Sequence, residues 1–192
     1  VPVFSSGFFI KICLAGIFFG LCSMLFIETL RAFEGFKERF RWFIRPLIGG
    51  LMLVGLTLIS SRSYLGLGLE TIKSAIEGER ISYLAPFLKI VFTSITLSFG
   101  GSGGIITPIY FVGATSGSIF ASLFGYEPSV FSAIGVVSLL AGAANTPISS
   151  GIMAVELFGP QVAPYAAVAG VISFLMTGHR SVYSSQILSV KK

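Results

Sequence analysis

Apolar residues along this chain gather in runs separated by short clusters of glycine, proline and polar residues. The runs cover residues 8–30, 46–59, 86–98, 106–124, 129–141, 147–158 and 164–177. Runs of this kind read as helices, and the intervening "YEPS", "GAANTP" and "FGPQVAP" supply stop and start signals. One crossing of a bilayer takes about 20 residues, so the first run is long enough while several others are too short to span alone. Two polar stretches interrupt the series. "RAFEGFKERFRWFIRP" mixes aromatic and basic residues as a membrane-interface collar does, with Pro46 opening the next helix. "SRSYLGLGLETIKSAIEGERISY" is the most polar segment and is expected at the opposite surface or in a wide loop.

Short helices with Gly/Pro starts fit two pictures: a tight bundle in which glycines let helices touch, or half-helices whose amino ends meet near the membrane midplane around an ion. The collective pattern favours the second. In "SFGGSGGIITPIYFVGATSG", Gly100, Gly101, Gly103, Gly104 and Pro108 interrupt an apolar stretch. Unwound backbone is tolerated in lipid only where protein or a water-filled cavity satisfies its polar groups. Pro108 marks a helix start, because a first-turn amide has no partner inside the helix. The N–H groups of Ile105, Ile106 and Thr107 are then free, and the helix dipole adds about half a positive charge at the same end. Gly103 and Gly104 let the backbone approach a ligand. With no Lys or Arg near, oriented amides would hold an anion weakly enough to release it. Downstream, Gly113, Gly117, Ala121 and Gly125 repeat at i, i+4 and are expected to form a smooth stripe for helix packing, as are Gly16 and Gly20 in the first run.

Composition places these helices in a membrane. Hydrophobic residues make up 54% of the 192, charged residues 11%, and the mean hydropathy is +0.90. The net charge of +5 would in a soluble protein invite a nucleic-acid reading. Here Arg31, Lys37, Arg39, Arg41 and Arg45 sit between two apolar runs and Lys191 and Lys192 close the chain, places that the positive-inside rule makes cytoplasmic. No nucleic-acid partner is expected. Cys13 and Cys22 lie about 13 Å apart along a helix, too far for a disulfide. One His and two such cysteines build no zinc site, and no nucleophile–base pair is visible. No metal, cofactor or enzymatic activity is therefore expected. Glu156, in an apolar helix, is a functional candidate by default; Glu28 reads as interfacial and His179 as a surface residue. The chain opens "VPVFSSGFF", without an initiator Met or basic leader, and reads as a piece of a longer protein.

These motifs carry a family resemblance. "GSGGIITPIYFVGATSGSIFASLFG" resembles the GxFxP region of the CLC chloride channels and proton-coupled chloride exchangers, where a glycine-rich helix start presents main-chain amides to chloride. "ANTPISSGIMAVELF" resembles that family's next conserved helix, and "RSVYSSQIL" its closing helix, whose tyrosine hydroxyl contacts the central ion. The matches follow in family order across residues 8–188. The resemblance implies an all-α, polytopic integral membrane protein of short, tilted and broken helices, residues 1–192 forming a single membrane domain equivalent to the carboxyl-terminal half of an inverted repeat. It implies chloride transport by a channel or a proton/chloride antiporter, with anion contacts from Gly104, Ile105, Ile106 and the Tyr183 hydroxyl. Without it, Tyr183 reads as an interfacial-belt tyrosine. Ile106 replaces the family's usual aromatic, which keeps the backbone donor and alters pore shape. The family's GSGIP-like and GKEGP-like segments are not in this sequence, so the partners implied are the amino-terminal half and a second copy, paired through the first run and the helices after Pro147, in the inner membrane. The transported ion is the only ligand implied. Two rivals stand beside this reading: a broken-helix transporter for fluoride or another anion, and a non-transporting membrane scaffold whose glycines serve packing alone.

Overall fold

The structure is a computed structural model that describes residues 6–183. Lys191, Lys192 and the part of "RSVYSSQIL" beyond Tyr183 lie outside the described residues. Within 6–183 the protein is all-α: α1 Ser6–Lys37, α2 Arg45–Ile59, α3 Leu69–Ile76, α4 Ala85–Ser98, α5 Ile106–Phe124, α6 Pro128–Ala143, α7 Pro147–Phe158 and α8 Ala163–Thr177, with a 3₁₀ turn at Arg62–Tyr64. Each of α2, α4, α6, α7 and α8 carries a proline in its first turn, where the missing N–H costs nothing. α1 continues past residue 30 because the first part of the collar contains no proline and Gly35 is tolerated inside the helix; it ends in turns closed by the Arg39 amide on the Phe36 carbonyl, 3.2 Å, and the Phe40 amide on the Lys37 carbonyl, 3.0 Å. The polar stretch after α2 is more than the surface segment or loop expected. It contains the 3₁₀ turn and α3, which folds back inward: Ala75 is fully buried against Ala114 and Val136, with Ile72 and Ile81 beside it.

At the centre lies α6, with every residue from 131 to 143 buried. A helix apolar on all sides must be surrounded. α5 lies against it backbone to backbone. A Cβ at Gly113 would stand 2.6 Å from the Gly135 carbonyl oxygen and 2.7 Å from Val136 Cα, and one at Gly117 would collide with the Phe131 carbonyl. Ala121 completes this face, fully buried in the core with Phe19, Phe120 and Phe131. Gly125 departs from the expected stripe. It closes α5 at φ +68, its side open and the next amide, of Tyr126, on the Ala121 carbonyl at 2.8 Å; it is a left-handed helix cap and not a packing residue.

The Gly16/Gly20 notch of α1 is filled from within the chain. A Cβ at Gly16 would lie 2.9 Å from Ile172 Cβ, and one at Gly20 would lie 2.7 Å from Met176 Cβ, both on α8. This closes the notch to a second copy. Hydroxyls stitch these two helices to each other and to α6: Ser23 Oγ lies 3.4 Å from both the Leu139 carbonyl and Ser173 Oγ, and Thr177 Oγ1 donates to the Gly142 carbonyl at 3.1 Å. The outward faces are apolar, with Ile10, Leu14, Ile17 and Leu21 on α1, Leu47, Leu51 and Leu58 on α2, and Ile148 and Ile152 on α7 all exposed. Apolar surface of this extent belongs against lipid or further protein.

Candidate functional site

The glycine-rich break divides into two halves with different work. Gly100 takes φ +95, and the Gly101 amide donates 2.8 Å to the Thr96 carbonyl, the closing bond of a Schellman cap. A Cβ at Gly101 would stand 2.6 Å from Thr96 Cγ2. The first two glycines therefore end α4. Gly103 and Gly104 have no left-handed φ, and a Cβ at Gly104 would meet no atom within 4 Å, so this side of the backbone is open.

α5 starts immediately after. Ile105 is its N-cap at φ −87 and ψ −19, without a side-chain cap, and the first helical bond runs from the Ile109 amide to the Ile105 carbonyl at 3.1 Å. The amides of Ile106 and Thr107 precede that bond, Pro108 has none to offer, and no acceptor among the described residues takes either N–H. Ile106 is 36% exposed and Ile105 half-buried. Unsatisfied donors and the positive end of the helix dipole thus coincide on an open face.

Tyr183 reaches the same region from the far end of the chain. Its approach is pinned to the carboxyl end of α6, the Val182 amide and Ser181 Oγ both donating to the Ala143 carbonyl, at 2.9 and 3.4 Å. The Tyr183 amide donates to Ser181 Oγ at 3.2 Å. Half-buried, Tyr183 packs with Ile105 and Tyr110 on one cluster that includes Ile109, Val112 and Leu139. Gly104, Ile105, Ile106 and Tyr183 are thus brought to one end of α5.

Two groups here were missed in the sequence. Tyr110, one turn into α5, donates its hydroxyl to Met153 Sδ of α7 at 3.1 Å. Lys89, on α4, is 2% exposed; its Nζ donates to the Tyr64 carbonyl at 3.2 Å and to the Gly66 carbonyl, and sits 5.0 Å from the centre of the Phe111 ring. Lys89 also lines a cavity of about 230 Å³ whose wall includes Gly103, Gly104 and Pro108. This corrects the expectation that no basic residue lies near the glycine-rich break. The signal was available: a lysine one turn into an apolar helix is a functional candidate in its own right. Glu156, by contrast, is exposed on α7, and Glu28 is taken up in half-exposed ion pairs with Arg180 at 3.0 Å and Arg31 at 3.5 Å. Among the described residues no group of His, Cys, Asp and Glu is placed to hold a metal ion.

A profile of the family described as voltage gated chloride channel matches residues 2–178. The chain belongs to this family, the CLC family. Among its CLC relatives, the chloride/fluoride channel protein of Pseudomonas syringae pv. tomato is 37% identical over 184 residues, 90% of this chain and 40% of that protein. The voltage-gated ClC-type chloride channel ClcB of Escherichia coli (strain SMS-3-5 / SECEC) is 28% identical over 186 residues, 88% of this chain and 44% of that one. In structure, the chain is similar to a CLC-type fluoride/proton antiporter, with a TM-score of 0.91 and 28% identity over 96% of this chain and 47% of that one. The chain therefore spans under half the length of these CLC proteins. Tyr183 lies beyond the residues that the CLC profile matches.

Proposed function

We propose that this CLC chain forms one half of a pathway for a small halide, held at the amino end of α5 by the amides of Ile105 and Ile106 and by the Tyr183 hydroxyl, with Gly104 leaving the approach open. The carrying observation is that bare helix end, where the amides of Ile105, Ile106 and Thr107 find no acceptor among the described residues and there is no side-chain cap. Such an end attracts anions. The burial of Tyr183 beside Ile105 supports a pathway role over that of an interfacial-belt tyrosine. The ligand class is supported by the relatives' names, which carry chloride, fluoride or both; fluoride stands beside chloride as the transported ion.

The test uses the full-length protein, titrated with chloride and with fluoride by calorimetry and checked for folding by size exclusion. Ile106→Ala keeps the backbone donor and should hold affinity within several-fold. Ile106→Pro deletes the donor. Arg45, Ala85, Thr107 and Ala163 each precede a proline inside a helix here, so the fold accommodates that arrangement. Loss of a hydrogen bond to a charged partner is worth roughly 1.5–3 kcal/mol, about ten- to a hundredfold in affinity. Equal losses for Ala and Pro would refute a backbone site. Halide-driven proton movement in liposomes then distinguishes exchange from channel conduction.

A further inference from the structure

The collar at the end of α1 borders two adjoining cavities of opposite character. The first, about 270 Å³, lies between the end of α1, the start of α2 and the end of α4, and its wall includes Lys37, Trp42, Arg45 and Ser98. Lys37 is half-buried and forms no ion pair among the described residues. Arg45, also half-buried, commits Nε to the Phe40 carbonyl at 3.0 Å and Nη2 to Glu38 at 3.1 Å, and neither contact uses Nη1. Trp42, 80% exposed, stands at the rim as interfacial anchors do. Between residues 31 and 45 five basic side chains outnumber the two acidic ones, Glu34 and Glu38, by three. The second cavity, about 210 Å³, runs between α2 and α4 along Gly49, Gly50, Leu53 and Ile95. Pro46, Phe99 and Gly100 border both cavities, so one opens beside the other. The one hydroxyl on the second wall, Thr96 Oγ1, turns back onto the Phe92 carbonyl at 2.7 Å. Gly49 lets the two helices touch, since a Cβ there would stand 2.5 Å from Phe99 Cβ, whereas a Cβ at Gly50 would meet no atom within 4 Å. Leu47, Leu51, Val54 and Leu58, each more than half exposed, continue the apolar surface along α2.

We propose that the two cavities together hold one anionic phospholipid, its headgroup phosphate between Lys37 and Arg45 and part of one acyl chain in the cleft between α2 and α4. Charge complementarity selects this occupant: a basic pocket at a membrane interface attracts anionic headgroups. The adjoining apolar cleft gives the chain a place that a free phosphate cannot use. A zwitterionic lipid brings the same phosphate and chains, but adds a cation that Lys37 and Arg45 repel.

Native mass spectrometry of the full-length protein, released from detergent with phosphatidylglycerol or with phosphatidylcholine of matched chains, decides it. Phosphatidylglycerol should be retained about tenfold more tightly than phosphatidylcholine. Lys37→Gln should cancel most of that preference, and Lys37→Arg should keep it. Gly50→Leu adds a side chain at the wall of the cleft and raises helix propensity, so the fold should hold while retention of both lipids falls several-fold. Inorganic phosphate at the lipid's concentration should not displace it; displacement would make this a site for free phosphate and overturn the proposal. Equal retention of the two lipids, or a preference unaltered in Lys37→Gln, would also overturn it and leave Lys37 as a complement to the carboxyl end of α4. Unaltered retention in Gly50→Leu would overturn it as well, the cleft then being covered by other parts of the full-length protein. If Lys37→Gln does not fold by size exclusion, Gly50→Leu and the comparison of the two lipids decide.

Discussion

At the scale of single residues, glycine does three different things in this chain, and each has its own cost of replacement. Gly117 touches the Phe131 carbonyl across the α5–α6 contact. Gly117→Ala forces two backbones apart and should destabilise by about 1–3 kcal/mol. Gly125 has open space around it and a left-handed φ of +68, so Gly125→Ala carries backbone strain alone and should cost about 1–2 kcal/mol, and Gly125→Asn less. Thermal midpoints of the full-length protein should therefore fall more for Gly117→Ala than for Gly125→Ala; the opposite order would mean that the α5–α6 packing is wrong. Tyr110 offers a different check. Among the described residues the one acceptor of its hydroxyl is a thioether, a weak one, so Tyr110→Phe should leave halide affinity within several-fold. A tenfold loss would make that hydroxyl a ligand.

At the scale of elements, the long apolar runs and the prolines at helix starts were legible, because both signals are local. Apolar residues on every side require a helix to be surrounded, and a proline fits the first turn whatever packs nearby. α3 was not legible. Its eight residues include Glu70 and Lys73, and what holds it is a narrow seam, Ile72 and Ala75, against residues of α5 and α6 far along the chain. Ala75→Glu should place a charge in that seam, loosen α3 and expose residues 61–83 to limited proteolysis in the full-length protein, with α5 and α6 still protected. Unchanged proteolysis would show that α3 is held by something other than this contact.

At the scale of the whole molecule, the expected pairing of two copies through the first run and the helices after Pro147 keeps its exposed apolar faces on α1 and α7 and loses the α1 notch. Gly16 and Gly20 are covered by Ile172 and Met176, so they cannot also meet a partner. We propose the open apolar face of α7, with Ile148 80% and Ile152 58% exposed, as a surface for a second copy. Ile148→Trp and Ile152→Trp should shift cross-linked dimer towards folded monomer, whereas Gly16→Trp should unfold the protein instead. Dimer unaffected by either α7 variant would place the interface elsewhere. A related outcome follows from length. This chain spans 40–47% of the CLC proteins it matches, and the site at α5 presents donors from one side only. The 192-residue polypeptide reconstituted alone should show no saturable halide flux above empty vesicles.

The sequence by itself determined the membrane environment, seven of the eight helices and the amino end of α5 as the place where amides go unpartnered, since each follows from neighbours within a few residues. Tertiary structure decided what local chemistry leaves open. It set which glycines of one motif cap α4 and which face outward, that Gly125 caps while Gly117 packs, and that the α1 notch is filled by α8. It also brought Lys89 and the turn at Tyr64 to one cavity with Gly103 and Gly104, and Tyr183 into one cluster with Ile105. A glycine has no side chain to declare its partner, and a buried charge is defined by groups that the chain delivers from a distance. Both acquire their meaning only when the helices meet.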